Sequence, residues 1–167
     1  IANLPAATAD TVFLRYTSAG RTVAAGDTLS VGGVSYRFQD AIAANTVAFS
    51  FTGFRTQVTD VLTLAGDLGF AKSGNDFIAV GNAIDIELAA GGVARVAAND
   101  GSFGLVVNAS GTAFELQGGF AATVTGLFGI SADRAVVRYA SPGMTVAANR
   151  RLGIGAASYT FADDIAA

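Results

Sequence analysis

The sequence predicts an all-β fold built from tandem units, and three observations predict it. Apolar and polar residues alternate in strand period, turn residues recur at hairpin spacing, and the opening segment returns near the end of the chain. Side chains two apart share one face of a strand, and tight hairpins take Gly, Asn or Asp where φ must turn positive. No stretch carries the 3.6-residue apolar stripe of a helix, although "FQDAIAAN" (38–45) has room for a single turn.

The elements follow in chain order. Residues 1–44 align without a gap on residues 124–167, an offset of 123, with about 20 of the 44 pairs identical. "RYTSAGRTVAAGDTLSVGGVSYRF" (15–38) comes back as "RYASPGMTVAANRRLGIGAASYTF" (138–161). We therefore expect one full unit over 1–123, its register arbitrary, and the start of a second over 124–167. Short solenoid repeats have periods of about 20 to 50 residues; this one is domain-sized, so each unit has the length to hold its own core. The two copies also act as a substitution series. In "VSYRFQ" (34–39) and "ASYTFA" (157–162), Tyr36/Tyr159 and Phe38/Phe161 are kept, while Arg37 becomes Thr160 and Gln39 becomes Ala162. Kept and changed positions alternate, which turns the aromatics inward and the changed residues toward solvent.

Between the copies, "AIDIELA" (83–89) alternates strictly, with Ile84, Ile86 and Leu88 on one face and Asp85 and Glu87 on the other. "SFGLVVN" (102–108) and "GFAATVTG" (119–126) alternate more weakly, small residues filling the second face. Turns are expected at "SAG" (18–20), "GG" (32–33), "SGND" (73–76), "AGG" (90–92), "NDG" (99–101), "NASG" (108–111) and "GG" (118–119). The 21 Gly and numerous Ala suggest closely packed sheets that meet through small side chains. A stacked sandwich, a β-solenoid and an elongated meander all fit.

Composition narrows the function. A chain of 167 residues suits one domain. Its 51% hydrophobic and 14% charged content, with mean hydropathy +0.49, excludes intrinsic disorder. With no Cys and no His there is no thiolate nucleophile, disulfide, zinc cluster or imidazole proton shuttle. Any enzyme here would have to run on carboxylates, and we expect none. Net charge is −3, and the nine Arg and Lys72 are scattered, only Arg150 and Arg151 being adjacent. A phosphate-binding surface needs clustered positive charge, so no nucleic-acid partner is expected. No run reaches the 18 or so apolar residues of a membrane-spanning helix, and "IANLPAATAD" lacks the basic start and apolar middle of a signal peptide. Lacking an initiator Met, the chain reads as a processed protein or an excerpt of a longer one.

Few residues invite a chemical role. Asp85 and Glu87 share a strand face about 7 Å apart, a spacing that glycoside hydrolysis can use. With no Trp and four Tyr there is little to build a sugar platform, so we read them as a solvated strand face. Calcium needs only oxygen ligands, and "NDGS" (99–102), "GND" (74–76) and "DD" (163–164) are the oxygen-rich loops. None matches an EF-hand loop or a glycine-aspartate nonapeptide, and Asp27 becomes Arg150 in the second copy. No metal ligand is assigned. Arg15 and Tyr16 recur as Arg138 and Tyr139, alongside Asp10/Asp133 and Asp40/Asp163. A ligand-binding Arg is one reading; the preferred one is an Arg paired with a nearby Asp where consecutive units meet. "NAS" at Asn108 has the form of a glycosylation acceptor and equally suits a hairpin turn. No catalytic or cofactor-binding residue is expected.

The segments "LAGDLGFAKSG" (64–74), "FIAVGNAIDIELAAGG" (77–92) and "GSFGLVVNASGTAFELQGG" (101–119) resemble repeat regions of very large secreted or surface-anchored bacterial proteins of the giant adhesin type. The resemblance implies an extracellular structural or adhesive role, many tandem units in one chain, and often calcium-dependent modules nearby. It supplies no catalytic residues, and this chain lacks the dense Asp ladders of calcium-binding arrays. The expected function is thus a structural repeat of an extracellular bacterial fibre, surface coat or adhesin stalk, whose partners are adjacent repeats or copies of itself. Rival expectations are a filament subunit assembling by strand exchange and an outer-membrane β-barrel or passenger.

Overall fold

A computed structural model describes residues 6–58 and 61–167. The protein is all-β, with long antiparallel strands and no helix among the described residues. The strands are β1 (Ala7–Thr8), β2 (Thr11–Thr17), β3 (Thr28–Val31), β4 (Val34–Arg37), β5 (Thr46–Val58), β6 (Leu62–Ser73), β7 (Asp76–Ala90), β8 (Ala94–Asn108), β9 (Gly111–Val124), β10 (Phe128–Ala140), β11 (Thr145–Val146), β12 (Arg151–Ile154), β13 (Ala157–Thr160) and β14 (Ile165–Ala166). One large sheet runs in chain order from β5 to β10, and β1 and β2 both pair along the outer side of β5. The result is an open meander with β2 at one edge and β10 at the other. Among the described residues no helix is long and apolar enough to cross a membrane.

Hairpins close at 32–33, 73–76, 90–92 and 108–111, where Gly or Asn supplies the tight turn. Two expected turns are absent. "NDG" (99–101) lies inside β8 and "GG" (118–119) inside β9, so β8 and β9 are single strands of 15 and 14 residues. The physical reason for "NDG" is that Asp100 and Gly101 form a β-bulge opposite Gly118, which uses the same positive φ as a turn (49° at Asp100), while Gly118 and Gly119 are paired strand residues facing the bulges of β8 and β10. Register shifts fall between Phe51 and Phe54, Ala65 and Asp67, Gly81 and Ile84, Asn99 and Ser102, and Ala132 and Ala135. They form one transverse line across the sheet. Each bulge removes an amide from the ladder, and acidic side chains take up two of them. Asp67 accepts the Gly53 amide at 2.8 Å and the Asn82 side chain at 2.9 Å, and Asp85 accepts the Asp100 amide at 3.0 Å. "FQDAIAAN" forms no helical turn; it bends through an isolated bridge between Ile42 and Val23.

The core lies on one face of the large sheet, its front. Residues 141–167 fold back from the β10 edge as a hairpin module, with β12 paired to β13 and β11 to β14. Met144, Leu152, Ile154, Tyr159 and Phe161 pack from this module onto Ala48, Val80, Val106 and Ala113 of the sheet. Small residues make room for it, as the sequence expectation of close packing through Gly and Ala requires. A Cβ on Gly104 would collide with the Tyr159 ring, and one on Gly69 would stand 2.9 Å from Ile154. The opposite, back face carries Phe49 stacked on Phe70 at 5.0 Å and Phe114 on Tyr139 at 5.7 Å.

Residues 18–45 form a second module with the same backbone. β3 pairs with β4, and the bonds Gly26 N to Phe38 O (2.7 Å) and Phe38 N to Asp27 O (2.8 Å) match Asn149 N to Phe161 O (2.8 Å) and Phe161 N to Arg150 O (3.1 Å). The position shared by Gly26 and Asn149 has positive φ in both, 87° and 63°, which explains why only Gly and Asn fill it. Among the described residues no sheet covers this module. Tyr159 is 3% exposed and Tyr36 57%; Leu152 is 5% exposed and Leu29 56%. The aromatics expected to point inward therefore do so in the C-terminal module, whereas Tyr36 lies in the open.

Candidate functional site

The strongest polar constellation joins the C-terminal module to the sheet. Glu115 sits in β9 between Phe114 and Leu116, whose side chains alternate to the back face, so the carboxylate points to the front, beneath the module. It is fully buried. Its Oε1 accepts the Tyr159 hydroxyl at 2.5 Å and the Ala162 amide at 3.0 Å, and its Oε2 accepts Nε of Arg138. Arg138, on the neighbouring β10, reaches Asp163 with a second nitrogen. One buried carboxylate thus ties together the edge strand, the hairpin β13 and the bend that follows it.

Electrostatics follow from this geometry. Burial pushes the Glu115 carboxyl up, but the Ala162 amide, Arg138 and Tyr159 together outweigh it and hold the group below its ordinary 4.5. Burial, and then the hydrogen bond to that carboxylate, push the Tyr159 hydroxyl well above its ordinary range. Arg138 is held more firmly protonated by Glu115. A carboxylate ionised at neutral pH, with both oxygens engaged, is neither a general acid nor an available nucleophile. Its chemistry is adhesion between layers. Among the described residues no buried side-chain polar atom lacks a partner.

The residues singled out from the sequence fall mostly elsewhere. Asp85 is occupied with the bulge amide of Asp100, and Glu87 pairs across strands with Arg95 at 2.6 Å, both contacts being solvent-exposed. Of the three oxygen-rich loops, 74–76 is a hairpin turn, 99–102 is the β8 bulge, and at 163–164 Asp163 pairs with Arg138 while Asp164 accepts the Ala148 amide at 2.7 Å. Among the described residues no group of three or more acidic side chains gathers in a way that would hold a metal ion. Asn108 accepts the Ser110 amide at 2.8 Å within the β8–β9 turn. Asp27 accepts the Ala24 amide at 2.9 Å.

The matched pairs come together as the repetition of Arg15/Arg138 and Asp40/Asp163 suggested. Arg15 contacts Asp40 at 3.1 Å, as Arg138 contacts Asp163, and Arg15 also lies over the Phe13 ring at 4.8 Å. Asp10 takes no part, standing instead against the Gly53 bulge. Sequence reasoning missed Glu115. Its only signal is a lone acid in a strand otherwise uncharged and made largely of apolar and small residues, one of two Glu in the chain. Comparison of the chain with protein-family models, curated proteins and solved structures returned no match, so the reading of this site rests on its own geometry.

Proposed function

We propose that the chain is a structural repeat of an extracellular bacterial fibre, surface coat or adhesin stalk, acting mechanically through β-units with a period of 123 residues. The observation that carries this reading is the arrangement of the matching segments: β2 and β10 stand at opposite edges of one sheet, and each is followed by the same hairpin module. A unit of that kind can be added to itself edge to edge. The buried carboxylate supports a mechanical role, since all its bonding capacity goes into holding layers together. The absence of His and Cys from the sequence points the same way, away from catalysis. The partners in this reading are adjacent units of the same chain, and it places the protein outside the cell.

The test is small-angle scattering on chains of one, two and three periods. Growth of the maximum dimension by a constant increment per period is expected. Compact particles at every length would overturn the reading. A filament subunit that exchanges strands is a second reading, favoured by one observation: among the described residues β2 and β10 each pair on one side only. It predicts concentration-dependent oligomers of the 167-residue chain itself.

A further inference from the structure

We propose that the N-terminal module, residues 18–45, is the docking surface for a sheet of the β5–β9 type that precedes it in the same polypeptide. A carboxylate at the position of Glu115 in that sheet would seat on Arg15, the Tyr36 hydroxyl and the Gln39 amide. The inference rests on the structural-repeat reading and names the partner that reading leaves unspecified.

Three observations carry it. The first is the seat. Arg15, Tyr36 and Gln39 stand where Arg138, Tyr159 and Ala162 stand in the matched segment, and together with Asp40 they line one cleft of about 290 Å³. Arg15 is already held by Asp40, as Arg138 is by Asp163. The donors that grip Glu115 therefore exist a second time, arranged on the same backbone. The second is the apolar surface: Leu29, Val31, Val34 and Tyr36 are exposed, while their counterparts Leu152, Ile154, Ala157 and Tyr159 are the buried contact with the sheet. Exposed apolar surface of this density on one hairpin marks an interaction site. The third is preorganisation. The two modules share backbone hydrogen bonds, and the Tyr36–Phe38 edge-to-face pair (5.1 Å, 87°) reproduces Tyr159–Phe161 (5.4 Å, 88°). Docking would require no refolding, which lowers its cost.

The occupant is a relative of the β5–β9 sheet and not an identical copy. Val34 replaces Ala157, which is fully buried, and Arg21 replaces Met144, which is 2% exposed. The preceding sheet must therefore be smaller opposite Val34 and polar or open opposite Arg21. A sheet lying ahead in the same chain is favoured over one on a second molecule, because in this chain the front face of β5–β9 is already covered by its own C-terminal module.

The experiment extends the full chain by a second copy of residues 1–123 placed ahead of Ile1, and reads amide hydrogen exchange. Two versions are made, one with the natural N-terminal module and one with Arg21→Met and Val34→Ala, which remove the two mismatches. In the unextended chain, amides of 34–38 are expected to exchange at least 100-fold faster than those of 157–161. In the extended Arg21→Met/Val34→Ala chain, with both substitutions and the readout in the original module that now follows a sheet, its residues 34–38 become as protected as 157–161, and Glu115→Ala in the added copy alone returns them to fast exchange. Fast exchange at 34–38 in both extended chains, with 157–161 still protected, would overturn the proposal. So would protection of 34–38 in the unextended chain that appears only at high concentration, since that assigns the surface to a second molecule. Scattering on the same samples separates the two readings: a particle that lengthens with undocked modules removes only the docking surface, and docked modules in a particle that does not lengthen remove only the fibre.

Discussion

The two hairpin modules present one backbone in two environments. The C-terminal one is pressed against the sheet and supplies most of the core; the N-terminal one has the same turns, bridge and aromatic pair with no sheet over its contact face. The difference teaches that the module's shape is set locally, by its turns and short ladders, while its burial is set by what lies beside it. Identical side chains at matched positions, Phe38 and Phe161 or Tyr36 and Tyr159, should therefore have unequal worth.

Phe161→Ala is the most forceful way to break the comparison. Phe161 is completely buried, and its truncation should cost about 3–5 kcal/mol in urea unfolding, whereas the same change at Phe38 should cost about a third of that or less. Equal losses would mean that both modules are docked in solution. Next comes Glu115→Ala, which leaves the Tyr159 hydroxyl and the Ala162 amide unpaired under the module. A loss of about 3 kcal/mol is expected by thermal or chemical unfolding. Tyr159→Phe removes one charge-assisted bond and should cost about 1.5–2 kcal/mol, with Tyr36→Phe silent in the same assay.

The pH dependence sharpens the comparison further. The folded Glu115 carboxyl lies below its ordinary 4.5, so the folded state binds fewer protons than the unfolded one in that region. Its contribution is complete above about pH 4.5 and disappears as the pH falls through the lower folded value. Acid should thus release the C-terminal module, visible as faster exchange at 157–161, and Glu115→Gln should flatten that loss. Tyr159 acts at the other end: its raised value means that stability is lost as the pH rises above its ordinary 10.0. The smallest effect is expected for Glu87→Gln. The pair with Arg95 is exposed, and no measurable change in melting temperature is predicted.

Much of the fold was legible because it is local. Alternation in "AIDIELA" and "VSYRFQ", with the Gly and Asn turns, is enough for antiparallel strands. The bulges were not legible, since "NDG" carries the same residues in a bulge as in a turn, and "GG" (118–119) only faces bulges in the strands beside it. The distinction depends on whether neighbouring strands continue past them, as β7 and β10 do. Ile84 and Ile86 line one pocket on the same face, as the alternation requires, yet Ile84 is buried while Ile86 and Leu88 are exposed, which alternation alone does not foresee. The Arg–Asp pairs could be anticipated from their repetition. Glu115 could not, because its donors arrive from 23, 44 and 47 residues further along the chain and nothing near it in sequence announces them.

That separation has a consequence for synthesis. Strands β5 to β9 end at Val124, but the residues that cover their front face begin only after Ala140. A chain made from its N-terminus completes the sheet before the first covering residue exists. Val80, Val106 and Ala113 then wait, wet and bare, until Phe161 emerges. During that interval the nascent protein is at its most vulnerable to unwanted association, and a holdase would find its target there.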